Sequence, residues 1–284
     1  MKKTVITLLI FICFYSSAQE KLIGTVKKTA FEKDSYKEWF LPNYKNYQVH
    51  KSLIRKVKKD LKQHQIKVFL GTWCGDSKRE VPAFFKILDQ VSFPESQLQI
   101  ICLDNIESAY KKSPNGEEVG LNIHRVPTFV FYKDGEEVNR IVETPITSLE
   151  RDISKIVTKE KYNANYQVVS ILEEQLKTKT ITQMKTMEKQ FLFLTTEYSK
   201  GSKELNTYGY VKLSSNELDK AIYILELNNK AYPLNKNTFD SLGKGYFKAK
   251  RFEDAKKCFY KILELDPKNK SAKEMLSKIN CNKE

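Results

Sequence analysis

One cysteine in this sequence stands where its sulfur can do chemistry. Cys74 follows the apolar run Ile66-Lys-Val-Phe-Leu70 and precedes a helical pattern running from Lys78 to about Gln90. At a strand-to-helix junction, free backbone N–H groups and the positive end of the helix dipole stabilise a thiolate. A thiolate attacks a disulfide sulfur and forms a mixed disulfide. Lys78 and Arg79 add positive charge beside Cys74, while Asp76 opposes them and competes for the same N–H groups. Ser77 lies one turn on; its hydroxyl either donates to the thiolate or caps the helix. Trp73 flanks the sulfur, either shielding it and meeting partners or simply packing at the surface. The spacing is Cys-x-x-Ser, so Cys74 has no second thiol inside its own motif.

The other cysteines read differently. Their spacing matches neither a zinc site nor a dense disulfide framework. Cys102 falls in the apolar run Leu98-Gln-Ile-Ile-Cys-Leu103, where a buried, inert thiol is the expectation. Cys258 and Cys281 lie near the C-terminus and are candidates for pairing with each other. His50 and His64, on or beside a basic helix, suggest no metal site; His124 is read as an exposed histidine or one bordering a groove. No glycine-rich phosphate loop, Ser-His-Asp arrangement or glycosidase-type carboxylate pair is present, so neither a cofactor nor a metal is expected.

The elements that must position Cys74 follow from composition and pattern. A chain of 284 residues, 40% apolar and 30% charged, suits two folded domains. Residues 1–18 read as an export signal: Lys2 and Lys3, an apolar stretch from Val5 to Tyr15, then Ser16-Ser-Ala18 before a cleavage point. The apolar stretch is short of the about 20 residues a membrane span needs. The expected location after cleavage is the periplasm, with no integral membrane segment. Cleavage removes two lysines and no acid, taking the formal charge from +14 to +12. The lysines alternate with acids and lack a basic-aromatic cluster, which argues against nucleic-acid binding and for a solvated basic surface.

Along the chain, residues 19–45 read as a lead-in followed by a short helix. Val49, Leu53, Ile54, Val57 and Leu61 recur at helical spacing from about 46 to 63. Pro82 falls inside the helix that follows Cys74 and predicts a kink or a displaced start. A short helix and a loop are expected over 105–122. Ile123–Tyr132, the turn Lys133-Asp-Gly135 and Glu137–Val142 read as a hairpin. Ser148 is positioned to cap a helix over Leu149–Val157. Residues 159–204 read as a helical connector.

The C-terminal part repeats. Leu205 and Phe239, Gly209 and Gly243, Ala221 and Ala255, Leu225 and Phe259, Pro233 and Pro267 are each 34 residues apart. That is the period of tetratricopeptide helix pairs, here 205–235 and 236–269, in a repeat domain over 205–284 with a capping helix from Ser271 to Ile279.

Trp73-Cys-Gly-Asp-Ser77 after an apolar strand, with Val126-Pro127-Thr128 about fifty residues on and a Lys-Asp-Gly hairpin behind it, resembles the thioredoxin fold family, in its envelope thiol–disulfide branch. The resemblance covers residues 45–158 and extends to about 19. It implies an α/β domain with a central mixed sheet flanked by helices, followed by the all-α repeat domain. It further implies a cis Val126–Pro127 bond facing Cys74 across a substrate groove lined by Trp73, Gly75, Asp76, Val126, Pro127 and Thr128, with protein thiols or disulfides as partners. Three positions depart from the family: the second cysteine is Ser77, the buried aspartate six residues before the nucleophile is Val68, and the glycine beside the proline loop is Glu143. Glu143 is then either an acid bordering the groove or a solvated strand-end charge. Two functions remain: a monothiol disulfide-exchange protein whose repeats dock a partner, or a non-catalytic adaptor with a redox-disabled fold.

Overall fold

Strands rich in apolar residues build the middle of the sheet, and strands with more polar residues build its edges. The structure, a computed structural model, describes residues 21–281; the expected export signal lies outside the described residues. Five strands, β1 (Gly24–Val26), β2 (Gln65–Leu70), β3 (Leu98–Cys102), β4 (Thr128–Lys133) and β5 (Glu136–Val142), form one sheet in the order β1-β3-β2-β4-β5. β2 runs parallel to β3; the other pairs are antiparallel. Val68, Phe69 and Leu70 of central β2 are fully buried, as expected of a strand covered on both faces. Asp134 and Gly135, at φ 54° and 86°, make the tight turn between β4 and β5.

One face of the sheet is covered by helices. α1 (Asp34–Asn46), α2 (Lys51–Leu61), α3 (Gly75–Gln90) and α4 (Leu149–Val157) share a core with Val68, Leu70, Phe129 and Phe131. The Phe84 ring of α3 stacks 4.2 Å from Phe129. Ser148 caps α4, its hydroxyl accepting from the Arg151 N–H at 3.3 Å. The opposite face is covered otherwise. The helix expected within 105–122 is a single 3-10 turn, Glu107–Ala109, in a long loop rich in turn residues. Ile123 and Val126 from that loop cover Phe69, Ile101 and Val130.

α3 begins directly after Cys74 and runs through Pro82 without a break, so the expected displaced start does not occur. Proline lacks the N–H that would pair with the carbonyl four residues back. Here the Asn43 side chain donates to that carbonyl, Lys78 O, at 3.0 Å. Asn43→Ala is therefore expected to cost about 1 kcal/mol. Urea unfolding checks this, and the penalty should shrink in a Pro82→Ala background, where the missing N–H is restored.

The remaining helices are α5 (Gln167–Thr178), α6 (Ile181–Thr186), α7 (Glu188–Tyr198), α8 (Lys203–Ser214), α9 (Leu218–Ala231), α10 (Lys236–Lys248), α11 (Phe252–Leu265) and α12 (Lys270–Cys281). The segment expected to be a helical connector is helical and shares a core with the helices after it. Val168, Leu172, Met184 and Phe191 share a core with Leu205, Tyr208 and Leu227, and Val142 at the end of β5 joins it. The two helix pairs α8–α9 and α10–α11 pack by the same device. A Cβ on Gly209 would lie 2.6 Å from Leu225, and one on Gly243 would lie 2.8 Å from Phe259. The glycines thus let each pair approach closely, at the same spacing that relates Leu225 to Phe259.

Candidate active site

The site is built where β2 gives way to α3. Cys74 sits immediately before the first helical residue in an extended conformation, φ −95° and ψ 127°, and is half-buried. Its N–H donates to Gly71 O at 2.9 Å and its carbonyl accepts from the Lys78 N–H at 3.0 Å. The Cys74 Sγ donates to the carbonyl of Val126 at 3.2 Å. The Val126–Pro127 peptide bond is cis. The loop is held by its own bonds: Thr128 Oγ1 donates to Arg125 O at 2.7 Å, and Glu143 N–H donates to Pro127 O at 2.7 Å. Cys74, Val126 and Pro127 are thus brought together from positions about fifty residues apart.

Trp73 is fixed rather than free at the surface. Its Nε1 donates to Leu103 O at 2.8 Å. A Cβ on Gly71 would lie 2.4 Å from the indole, so glycine is needed there to let the ring lie flat on the backbone. The sequence reading missed Gly71. Ser77 does neither of the two things expected of it. It is fully buried, and its hydroxyl accepts from the Gly71 N–H at 3.2 Å, back across the turn. Ser77 therefore holds the turn that presents Cys74. Gly75 opens α3, and a side chain there would meet nothing.

The charges beside the motif are directed away from the sulfur. Asp76 pairs with Arg79 at 2.7 Å, and Arg79 also reaches Glu80 at 2.7 Å. The Lys78 ammonium lies 5.9 Å from the centre of the Trp39 ring. Val68, where the family carries an acid, is fully buried between Ile100 and Phe129. Cys102 is fully buried in β3, and burial pushes its thiol up to about 12. Cys258 is likewise buried and pushed up to about 12, and it and Cys281 are both free thiols, so the expected pairing does not form. Among the described residues no group of His, Cys, Asp and Glu could hold a metal.

Glu143 is not a solvated strand end. It sits at φ 65°, its carboxylate accepts from Arg125 Nη1 at 3.1 Å, and it also accepts from the Tyr166 hydroxyl. The Arg125 guanidinium lies 4.6 Å over the Tyr166 ring, and its Nη2 donates to Lys203 O at 2.9 Å. The proline loop is therefore tied directly to the start of α8. Further along, Ser214 Oγ donates to Tyr110 O at 3.1 Å, and the Tyr110 and Tyr210 rings meet edge to face. His124, expected to be exposed or to border a groove, is 4% exposed and lies edge-on to Tyr166 and Tyr208. Burial pushes its imidazole down to about 3, so it is neutral. Arg125 and Lys111 are site residues that the sequence reading passed over. Arg125 adjoins the Val-Pro-Thr motif, which was a usable signal; Lys111 lies in a loop with none.

The arrangement can present a thiol at a helix start, beside a backbone carbonyl and an apolar ring, with no second thiol in the turn. Comparison with known proteins agrees with the fold. A family model described as Thioredoxin matches residues 25–153. The chain is 31% identical over 87 residues to Thioredoxin of Malassezia sympodialis, covering 31% of this chain and 75% of that protein. It is 29% identical over 83 residues to Thioredoxin Asp f 29 of Aspergillus fumigatus, covering 29% of this chain and 68% of that protein. With Thioredoxin-2 of Saccharomyces cerevisiae it shares 27% identity over 89 residues, or 31% of this chain and 76% of that one. This chain belongs to the thioredoxin family, whose function is of the thiol–disulfide redox type, and it adds a helical C-terminal region consistent with repeats.

Proposed function

We propose that the protein exchanges disulfides with protein thiols through Cys74 alone. The observation that carries this reading is the half-exposed Cys74 sulfur at the start of α3, 3.2 Å from Val126 O, in a turn whose fourth residue is a buried serine. The Cys74 thiolate attacks one sulfur of a substrate disulfide. A bond forms between the two sulfurs, and the substrate's other sulfur leaves as a thiolate. Ser77 cannot resolve this mixed disulfide, so a small thiol or the substrate's own second cysteine attacks the substrate sulfur of the mixed disulfide, and Cys74 leaves as the thiolate. Such a cycle suits isomerisation or monothiol exchange, since net reduction of a disulfide takes two electrons, one from each of two thiols, and the turn holds one thiol.

Residues 1–18 would export the chain, in keeping with their basic start, apolar stretch and small residues before the cleavage point. The helical region would dock a protein partner, and its attachment to the proline loop through Arg125 and Lys203 would hold that partner beside Cys74. The alternative, a redox-disabled adaptor, draws support from the engagement of Ser77 in the turn instead of at the sulfur.

The two readings separate on Cys74→Ser. Incubation with a peptide disulfide should give a mixed disulfide, seen by mass spectrometry under non-reducing conditions, with the wild type and none with the variant. Equal behaviour of the two proteins, with partner binding retained, would leave the adaptor.

A further inference from the structure

A lysine buried for structural reasons usually brings its counter-ion with it. Lys212 does so: it is 7% exposed and pairs with Glu173 at 2.9 Å and Glu217 at 3.1 Å. Lys111 is 5% exposed, and among the described residues it makes no ion pair with a carboxylate. Its ammonium instead lies 3.9 Å from the centre of the Tyr110 ring and 5.7 Å from that of Trp73, and it donates to the Tyr110 hydroxyl at 2.5 Å. Trp73 is the neighbour of Cys74 in the motif.

The backbone is shaped to deliver this side chain. Lys111 has φ 55°, a left-handed conformation that disfavours side chains other than glycine. The loop around it is closed by two backbone bonds, Lys111 N–H to Asp104 O at 2.9 Å and Asp104 N–H to Lys112 O at 3.0 Å. Ser214 of α8 buttresses the same segment through Tyr110 O. A residue held in this region by its surroundings, buried and without a counter-ion, points to use rather than stability.

We propose that Lys111 holds the proton that Cys74 gives up, in the role that Val68 cannot fill. The inference rests on disulfide exchange at Cys74. In the resting pair Lys111 is an amine and Cys74 a thiol; in the reacting pair the proton has passed to give ammonium and thiolate. The thiolate attacks the substrate disulfide, one S–S bond forms and one breaks, and the departing substrate thiolate takes the proton from the Lys111 ammonium. No proton or electron is left over.

The charges around Lys111 suit this exchange. Burial pushes its ammonium down to about 7, and the Arg125 guanidinium pushes the same way; negative charge on Cys74 and on Glu143 opposes them. Tyr110, from its own loop, is held neutral by burial, which raises its hydroxyl. Beyond these, Glu118 of the loop, Glu173 and Lys177 of α5 and Lys212 of α8 line the same cleft.

The test follows iodoacetamide labelling of Cys74 from pH 5 to 9 in a Cys281→Ser background, which removes the exposed competing thiol. Lys111→Met should move the labelling profile up by about one pH unit, a rate about tenfold lower at pH 7. Lys111→Arg, a permanent cation, should restore labelling at pH 7. Superimposable profiles for all three proteins would overturn the proposal. Should Lys111→Met fail to fold, 13C-dimethylated lysines can be followed by NMR in the otherwise intact chain. One signal, absent from Lys111→Arg, should titrate near pH 7 and move lower in Cys74→Ser. If every lysine titrates near the ordinary value of about 10.4, the proposal is wrong. Neither readout needs a disulfide substrate. Failure here with mixed disulfides still forming would therefore remove only the role of Lys111, while coupling without exchange would remove only the proposed function.

Discussion

Ser77→Cys is expected to convert the protein from an accumulator of mixed disulfides into a dithiol reductant. Cys74 and Ser77 stand one helical turn apart, where side chains are about 5–6 Å apart at Cβ and a disulfide is within reach of small adjustments. An introduced thiol at that place attacks the mixed disulfide from inside the same turn. Because the step becomes intramolecular, the lifetime of the mixed disulfide should fall on the order of a hundredfold or more. The change also weakens a buried bond, since sulfur accepts poorly from the Gly71 N–H that now meets the Ser77 hydroxyl at 3.2 Å. A stability loss of about 1 kcal/mol should accompany the gain in activity. The measurement is the yield of trapped complex with a peptide disulfide, alongside net reduction of insulin. A variant that traps complexes at the wild-type level and reduces nothing would show that a thiol at position 77 does not reach the mixed disulfide on Cys74.

The second large effect is on stability in mild acid, and it comes from His124. Burial pushes its imidazole from the usual 6.5 down to about 3. The folded protein therefore stays unprotonated there while the unfolded chain takes up a proton. The stabilisation is fully present above about pH 6.5 and is lost progressively as the pH falls toward 3. Below about pH 6 the slope approaches about 1.4 kcal/mol per pH unit for this one group, with an upper limit of roughly 4–5 kcal/mol over the whole window. His64 is lowered by burial as well and adds to the same limb. Carboxylates with lowered values, such as Asp104 and Asp254, act mainly below about pH 4.5, while Glu80 and Glu204, raised by burial, work in the opposite direction and are common to both proteins compared below. His124→Phe, compared with the wild type by urea unfolding at pH 7 and pH 5, should flatten the acid loss by about 1–2 kcal/mol. Parallel losses in the two proteins would mean that His124 takes up its proton within the fold.

Much of the frame around Cys74 was legible from local pattern. The apolar run ending at Leu70, the helical periodicity after Ser77, the Lys133-Asp-Gly135 turn and the Ser148 cap each use neighbours within a few residues, and β2, α3, the β4–β5 hairpin and α4 stand where those signals put them. The short helix expected within 105–122 shrinks to one 3-10 turn, and the loop expected with it, containing Pro114, Gly116 and Gly120, covers that face of the sheet. The helical connector expected over 159–204 is helical, and its apolar residues join a core with residues of α8 and α9 that periodicity within the segment does not reveal.

The sequence by itself determined that one cysteine begins a helix, that its partner in the motif is a serine, and that two glycines recur at a spacing of 34 with the large residues they accommodate. These are matters of order and periodicity, which the backbone turns into elements directly. The tertiary structure alone decided what surrounds the sulfur. Arg125 meets Lys203, Tyr110 meets Ser214, Glu143 meets Tyr166, and Lys111 comes to lie over Trp73. Each pair joins residues distant in the chain, and burial then sets the charge of His124 and Lys111. No local pattern encodes such meetings, because they depend on how the helical region packs against the proline loop.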